Sequence, residues 1–289
     1  MTSSPRTAAP ARLTIAHSPD ADDAFMFYGL ASGAVRADGL EIEQVLADIE
    51  TLNRAALEGR YELTAVSVHA YAYLADRYAL LPCGASMGDG YGPIVVARRD
   101  RVSAGAPLAG LTVAVPGELT TAFLVLRLFE PRVRWVVRPF DRIQQDVARG
   151  EADAGLLIHE GQLTYADDGL VRLVDLGEWW AARTGGLPLP LGANAIRRDL
   201  DPTVARTAAR LLRDSIAYAL EHRAEAIRYA RQFGRGLDEG RTDRFVGMYV
   251  NALTLDYGAR GRAAVRRLFD EAFMAGLLPS RVEVSELAG

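Results

Sequence analysis

Residues 13–18 read Leu13-Thr14-Ile15-Ala16-His17-Ser18, and residues 63–68 read Leu63-Thr64-Ala65-Val66-Ser67-Val68. Each is a short run rich in apolar residues with a small polar residue at its end, the pattern of a buried strand. Two helical stretches and a third strand lie between them. Asp20, Asp22 and Asp23 stand where a helix N-terminus favours negative charge. Phe25, Met26, Tyr28, Gly29 and Leu30 supply a mainly apolar helix, and Gly33 ends it. Leu40–Leu46 alternates apolar and acidic residues as a half-exposed strand. Asp48 caps a helix with Ile49, Leu52 and Ala56 on its apolar face, stopped by Gly59. The order β-α-β-α-β implies a mainly parallel sheet with right-handed crossovers.

The pattern returns further on. Leu111–Val115 reads as a strand, Leu119–Phe129 as a buried helix and Arg134–Val137 as a strand. Asp141 stands as the cap of a helix over Ile143–Arg149, and Ala154–Ile158 follows as a strand. Glycine-rich Gly84–Gly92 leads into Pro93-Ile94-Val95-Val96-Ala97. The polar stretch Arg98–Gly110 reads as a crossing between two lobes. Leu187-Pro188-Leu189-Pro190-Leu191-Gly192 carries two prolines and cannot be helix interior. A second crossing is expected near Pro188–Arg197. Beyond it the chain is helical, with apolar spacing at Ala208, Leu211, Leu212, Ile216 and Ala219, and further helices around Phe245–Leu255 and Ala263–Gly276. The expected architecture is α/β and two-lobed, with a discontinuous lobe of residues 12–98 plus 197–289 around an inserted lobe of residues 109–196. Ligands of such molecules bind in the cleft, at the carboxyl ends of the strands.

Composition limits the function. A chain of 289 residues suits one large domain or two modest ones. With 49 % hydrophobic and 24 % charged residues it is an ordinary globular composition. A net charge of −4 without a basic run lacks the footprint of a nucleic-acid binder. Cys83 is the one cysteine, so no internal disulfide or cysteine–histidine zinc site is expected. The first twelve residues are polar and broken by Pro5 and Pro10, unlike a secretory signal. Apolar runs are strand-sized and too short to span a bilayer. The expectation is a cytoplasmic protein that binds a small molecule, with no nucleic acid and no membrane.

Four strand ends offer chemistry: His17-Ser18, Ser67, Gly117 with Thr120-Thr121, and His159. Gly117–Thr121, a glycine after a strand and then two hydroxyls at a helix start, is the best anion site, because such an end leaves backbone N–H groups unpaired. Read blandly, one threonine is only an N-cap. His159 could be a general base near neutral pH, although spacing alone favours a structural hydrogen-bonding histidine. His69 reads as packing or cleft wall, and His222 lies in an exposed helical segment. Asp22-Asp23 reads as helix-terminal charge rather than as a metal site. Gly88-Asp89-Gly90-Tyr91-Gly92 leads into a strand and lacks a lysine-serine/threonine ending, so it fails as a phosphate loop. No nucleophile elbow occurs. Trp179-Trp180 reads as lobe packing.

From about Leu13 to the C-terminal helices the chain resembles the 1,4-dihydroxy-6-naphthoate synthase family of menaquinone biosynthesis. The resemblance rests on Ser18-Pro19 with Asp23-Ala24-Phe25-Met26-Phe27-Tyr28, Asp48-Ile49-Glu50-Thr51-Leu52-Asn53 and Thr120-Thr121-Ala122. It continues through Gly155-Leu156-Leu157-Ile158-His159-Glu160, Leu187–Gly192 and Tyr249-Val250-Asn251-Ala252. It implies a periplasmic-binding-protein-like (type II) fold, a lyase with neither metal nor organic cofactor, and a small carboxylate substrate. The family's base falls on His159, its ligand-holding hydroxyls on Thr120 and Thr121, and a cleft serine on Ser67. The implied reaction converts cyclic dehypoxanthine futalosine to the naphthoate by base-promoted fragmentation, driven by aromatisation. The first loop departs from the family's usual Ser-Pro-Cys-Pro-Asn-Asp-Thr-Phe. Here it reads Ser18-Pro19-Asp20-Ala21-Asp22-Asp23-Ala24-Phe25, which removes an amide and a hydroxyl and adds negative charge. The other readings are a sister enzyme resembling chorismate dehydratase, against which Ile158-His159-Glu160 argues, and a non-catalytic binder of organic acids.

Overall fold

In the computed structural model, residues 11–286 are described. The reading of the first twelve residues as no signal falls mainly on residues 1–10, outside the described residues. The paired β-α-β-α-β units each build one sheet. In the first, β1 (Ala11–His17) is flanked in parallel by β2 (Leu40–Leu46) and β3 (Leu63–Ser67). The sheet continues with β4 (Tyr78–Leu80) and β5 (Ser86–Gly88). The second sheet contains β6 (Ile94–Arg98), β7 (Thr112–Val115), β8 (Arg134–Val137), β9 (Ala154–Leu157) and β10 (Leu170–Asp175). There β7 is flanked in parallel by β8 and β9. The chain then returns to the first sheet as β11 (Leu189–Arg197), and the orders are β2-β1-β3-β11-β4, with β5 on β11, and β10-β6-β9-β7-β8. In both units the first strand lies between the next two, so each sheet has a switch point where neighbouring crossovers diverge and leave a crevice.

The crossings lie earlier than the sequence suggested. Strand β6 sits between β9 and β10 of the second sheet, and β11 pairs with β3, β4 and β5 of the first. The chain therefore changes sheet between Gly88 and Ile94 and again between Asp175 and Leu189, not at Arg98–Gly110 or within Pro188–Arg197. Polar Arg98–Gly110 instead loops out between β6 and β7 of one sheet, where Arg99 and Gly105 donate their N–H groups to the carbonyls of Gly169 and Arg172. The true first crossing is short and tight: a Cβ on Gly177 would stand 2.0 Å from the Tyr91 carbonyl oxygen, so only glycine lets the two backbones pass. A second correction is local. Helix Ile143–Arg149 has Arg142 at its N-cap and no side-chain cap, so Asp141 does not fill that place.

One apolar cluster joins the sheets. It includes Val66 in the first sheet and Tyr71 beside it, Val113 and Leu156 in the second, and fully buried Trp180. Trp180 donates its indole N–H to the Pro188 carbonyl at 3.0 Å, which pins the returning segment. On the far face of the first sheet Leu13 and Ile15 meet Phe25, Leu211, Ile216 and Phe245 from the helices. The long helix Pro202–Glu221 starts with Asp201 accepting from Thr203 and Val204 N–H groups, with proline at its first position. No helix among the described residues is long and apolar enough to cross a membrane.

Candidate functional site: the cleft between the two sheets

Ser18 follows β1, Ser67 ends β3, Thr120 and Thr121 follow β7, and Ile158 follows β9. All five line one cavity of about 720 Å³, its open mouth included. Four of the sequence-predicted site residues are thus brought together. His159 is not among the residues lining this cavity, although Ile158 before it is.

The hydroxyls of the four are not equivalent. Ser18 donates its O–H to Asp20 at 2.6 Å. Thr120 donates to the Gly117 carbonyl at 2.8 Å and accepts from Phe123 N–H at 3.2 Å, as the N-cap of helix Thr121–Phe129. Thr121 donates to the Leu191 carbonyl at 2.6 Å and accepts from His69 N–H at 3.0 Å, tying the two sheets together. Of the four, only the Ser67 hydroxyl donates no hydrogen bond among the described residues. Buried Asn53 donates to its oxygen at 3.0 Å and accepts its backbone N–H at 2.8 Å, which fixes the side chain. At the helix start the N–H groups of Thr121 and Ala122 have no partner among the described residues, as the first N–H groups of a helix require. Glu50 takes the preceding N–H, of Leu119, at 3.2 Å. The bland reading of Thr120 as a cap is therefore true of its hydroxyl, while the anion-binding capacity resides in the backbone.

His159 is 5 % exposed. Its Nδ1 accepts the Gly161 N–H at 2.9 Å, so the proton is on Nε2, which donates to the Phe140 carbonyl at 3.0 Å. Burial lowers its pKa, partly opposed by the charge of Asp20, and keeps the ring neutral near pH 7. His69 is likewise neutral: burial lowers it to about 4, and its Nδ1 meets the Thr120 carbonyl at 3.3 Å.

The acidic loop is not merely helix-terminal charge. Asp20, Asp22 and Asp23 all line the cavity. Ser18 N–H donates to Asp23 at 2.9 Å. Arg235 stands 2.7 Å from both Asp20 and Glu160; the Glu160 contact has hydrogen-bond geometry, and the Asp20 contact is a charge contact without that alignment. Arg235 adopts φ +46°, a left-handed backbone that costs a non-glycine residue about 1 kcal/mol or more. Glu160 also accepts Ala21 N–H at 3.3 Å across the cleft. Burial raises the pKa of Asp22 and Asp23, with neighbouring carboxylates adding to it, and burial raises Glu160. Tyr249, also in the wall, donates to Gln162 at 2.7 Å. Sequence reading missed Arg235 and the pairing role of Asn53. The available signals were an arginine between two glycines, Gly234 and Gly236, and an asparagine on a buried helix face.

This arrangement offers a fixed O–H donor, two backbone N–H donors and an acidic wall, suited to orienting an oxygen-rich small molecule. Residues 13–274 match the family model described as menaquinone biosynthesis. The 1,4-dihydroxy-6-naphtoate synthase of Thermus thermophilus is 48 % identical over 92 % of this chain and 95 % of its own length. The chain belongs to the menaquinone-biosynthesis family. A second relative, the 1,4-dihydroxy-6-naphtoate synthase of Streptomyces coelicolor, is 39 % identical over 93 % of this chain and 95 % of its own. A solved structure from Archaeoglobus fulgidus shares 52 % identity and superimposes with a TM-score of 0.87, covering 92 % of this chain and 98 % of that one. The fold extends beyond the family. A Candida albicans protein described as having the generic periplasmic binding protein fold superimposes with a TM-score of 0.69 at 15 % identity, covering 97 % and 98 % of the two chains. The menaquinone-biosynthesis chain thus has the two-lobed binding-protein fold that its sequence pattern implied, and it is an enzyme of that family.

Proposed function

We propose that this enzyme is a 1,4-dihydroxy-6-naphthoate synthase, a lyase that converts cyclic dehypoxanthine futalosine to 1,4-dihydroxy-6-naphthoate by base-promoted fragmentation in the cytoplasm. The observation that carries the reading is near-full-length identity to a synthase of that name, at 48 %. In the proposed complex the substrate carboxylate is held by the N–H groups of Thr121 and Ala122 and by the Ser67 hydroxyl. Ser18 and the Thr120 and Thr121 hydroxyls shape the wall and hold those donors in place. His159 acts as the base through Nδ1. To do so it exchanges the Gly161 N–H for a substrate proton, at a cost of about 1–3 kcal/mol for a buried donor left without its acceptor. That is less than the several kcal/mol a positioned base supplies, and catalytic hydrogen bonds often form only in the complex. Aromatisation provides the driving force, so orientation and one base suffice. Incubating the purified protein with cyclic dehypoxanthine futalosine and detecting the naphthoate by mass spectrometry tests the reading. Saturable binding without product would instead make the chain a binder.

A further inference from the structure

Four carboxyl groups, Asp20, Asp22, Asp23 and Glu160, crowd one end of the cleft around a single guanidinium, Arg235. That cation is shared by Asp20 and Glu160 at 2.7 Å each. Asp23 is held by the Ser18 N–H at 2.9 Å. Asp22 has neither. Among the described residues its one side-chain partner in a hydrogen bond is the Ser86 hydroxyl at a long 3.4 Å, and it remains partly exposed where it faces the cavity. Among the described residues, the elements packed around its helix, Ala21–Met26, place no further cation where it lowers the pKa of Asp22. Arg223 is engaged with Asp243 at 2.8 Å and lies over the Phe25 ring. Tyr249 is a buried phenol bound to Gln162, Ser215 is neutral, and His159 is neutral with both nitrogens occupied.

Four like charges against one cation in a buried wall cannot all ionise, and the proton is retained where no donor compensates the charge. Resting on the proposed function, we infer that Asp22 meets the ligand as a neutral carboxylic acid and donates a hydrogen bond to a substrate oxygen, so that this acidic wall selects an oxyanion instead of repelling it. Burial and the charges of Asp23, Asp20 and Glu160 all act to raise its pKa, in agreement with the geometry. Asp22 is then a specificity-determining residue: protonated it accepts a carboxylate or carbonyl ligand, and ionised it rejects one.

The test is anaerobic titration of the full chain with 1,4-dihydroxy-6-naphthoate, from about pH 5.5 to about pH 8.5 at constant ionic strength. Affinity of the parent should fall with rising pH, approaching about tenfold per unit once Asp22 ionises. Asp22→Asn keeps a donor that cannot ionise. Its affinity should be nearly independent of pH and at least about tenfold above the parent's at the alkaline end. Asp22→Ala, lacking a donor, should bind weakly throughout. An Asp22→Ala variant that binds as tightly as the parent at about pH 5.5, or an Asp22→Asn variant with the parent's slope where the parent's affinity falls, overturns the inference while leaving the proposed function standing. A parent that binds no naphthoate at any pH overturns both.

Discussion

Gly161 donates its backbone N–H to His159 Nδ1 at 2.9 Å, and this bond sets the tautomer of the only histidine placed at the end of a strand in the second sheet. The structural and catalytic readings of His159 make different demands. As base, its replacement by alanine should lower turnover per folded molecule by about 100- to 10,000-fold. The melting temperature should also fall, because Gly161 N–H and the Phe140 carbonyl lose their partners. Near-normal turnover in the surviving folded fraction would remove His159 from the mechanism. In the parent, the rate should rise with pH along an acid limb whose midpoint lies below the ordinary histidine value, since burial lowers this pKa and only the neutral ring accepts a proton.

If the helix start holds the anion through its backbone, the threonine side chains and N–H groups can be separated. Thr121→Ala removes the hydroxyl and its methyl but keeps the backbone N–H. Thr121→Pro removes the N–H as well, at the first helical position, where proline is tolerated. Thr120 already has the extended backbone that a residue before proline needs. The proline variant should bind the naphthoate more weakly than the alanine variant by about 1–3 kcal/mol, the usual cost of a lost hydrogen bond to a charge. Equal affinities by calorimetry would place the anion elsewhere. Thr120→Ala, in contrast, should cost about 1 kcal/mol of stability through its lost cap.

Much of this was legible in the sequence because strand and helix periods are local. Both β-α-β-α-β units followed from runs such as Leu13–Ala16 and from caps such as Asp48, whose carboxylate does accept the Thr51 N–H at 3.0 Å. The lobe crossings were not legible, since β6 and β11 are apolar strands that would pair equally well with either sheet by pattern alone. The strand-end residues Ser18, Ser67, Thr120 and Thr121 do share a cleft. Their hydroxyls' commitments depend on carbonyls up to 70 residues away, as with Thr121 and Leu191, which no local spacing encodes.

Stability should peak at intermediate pH, with opposite causes on the two sides. Burial lowers the folded-state pKa of His17, His69 and His159 below their unfolded value. Their contribution is present above about pH 6.5 and is lost as pH falls, because the unfolded chain then binds more protons. Burial raises Asp23 to about 7. Its contribution is present below the usual aspartate value and is lost as pH rises through about 7. Melting curves across the range should show the parent losing stability on the alkaline side. Asp23→Asn, which can still accept the Ser18 N–H, should lose less. Parallel alkaline slopes for the two proteins would exclude Asp23 as the source.

Arg235 pairs Asp20, which follows β1 of the first sheet, with Glu160, which follows β9 of the second, and does so from a strained left-handed backbone. Replacing it with methionine keeps bulk over the Phe140 ring, 4.6 Å from the guanidinium, but leaves Glu160 buried without a cation. Breaking a fully buried pair costs about 3–5 kcal/mol. Arg235 retains 28 % side-chain exposure, so a smaller loss, about 1–3 kcal/mol, is expected. Glu160→Gln in the Arg235→Met background removes the stranded charge and should recover part of that loss, although the same change alone in the parent should destabilise. This opposite sign is the signature of a charge pair and not of packing. Denaturant unfolding of the four proteins in the cycle measures it, and additive effects would show that Arg235 acts through its stem alone.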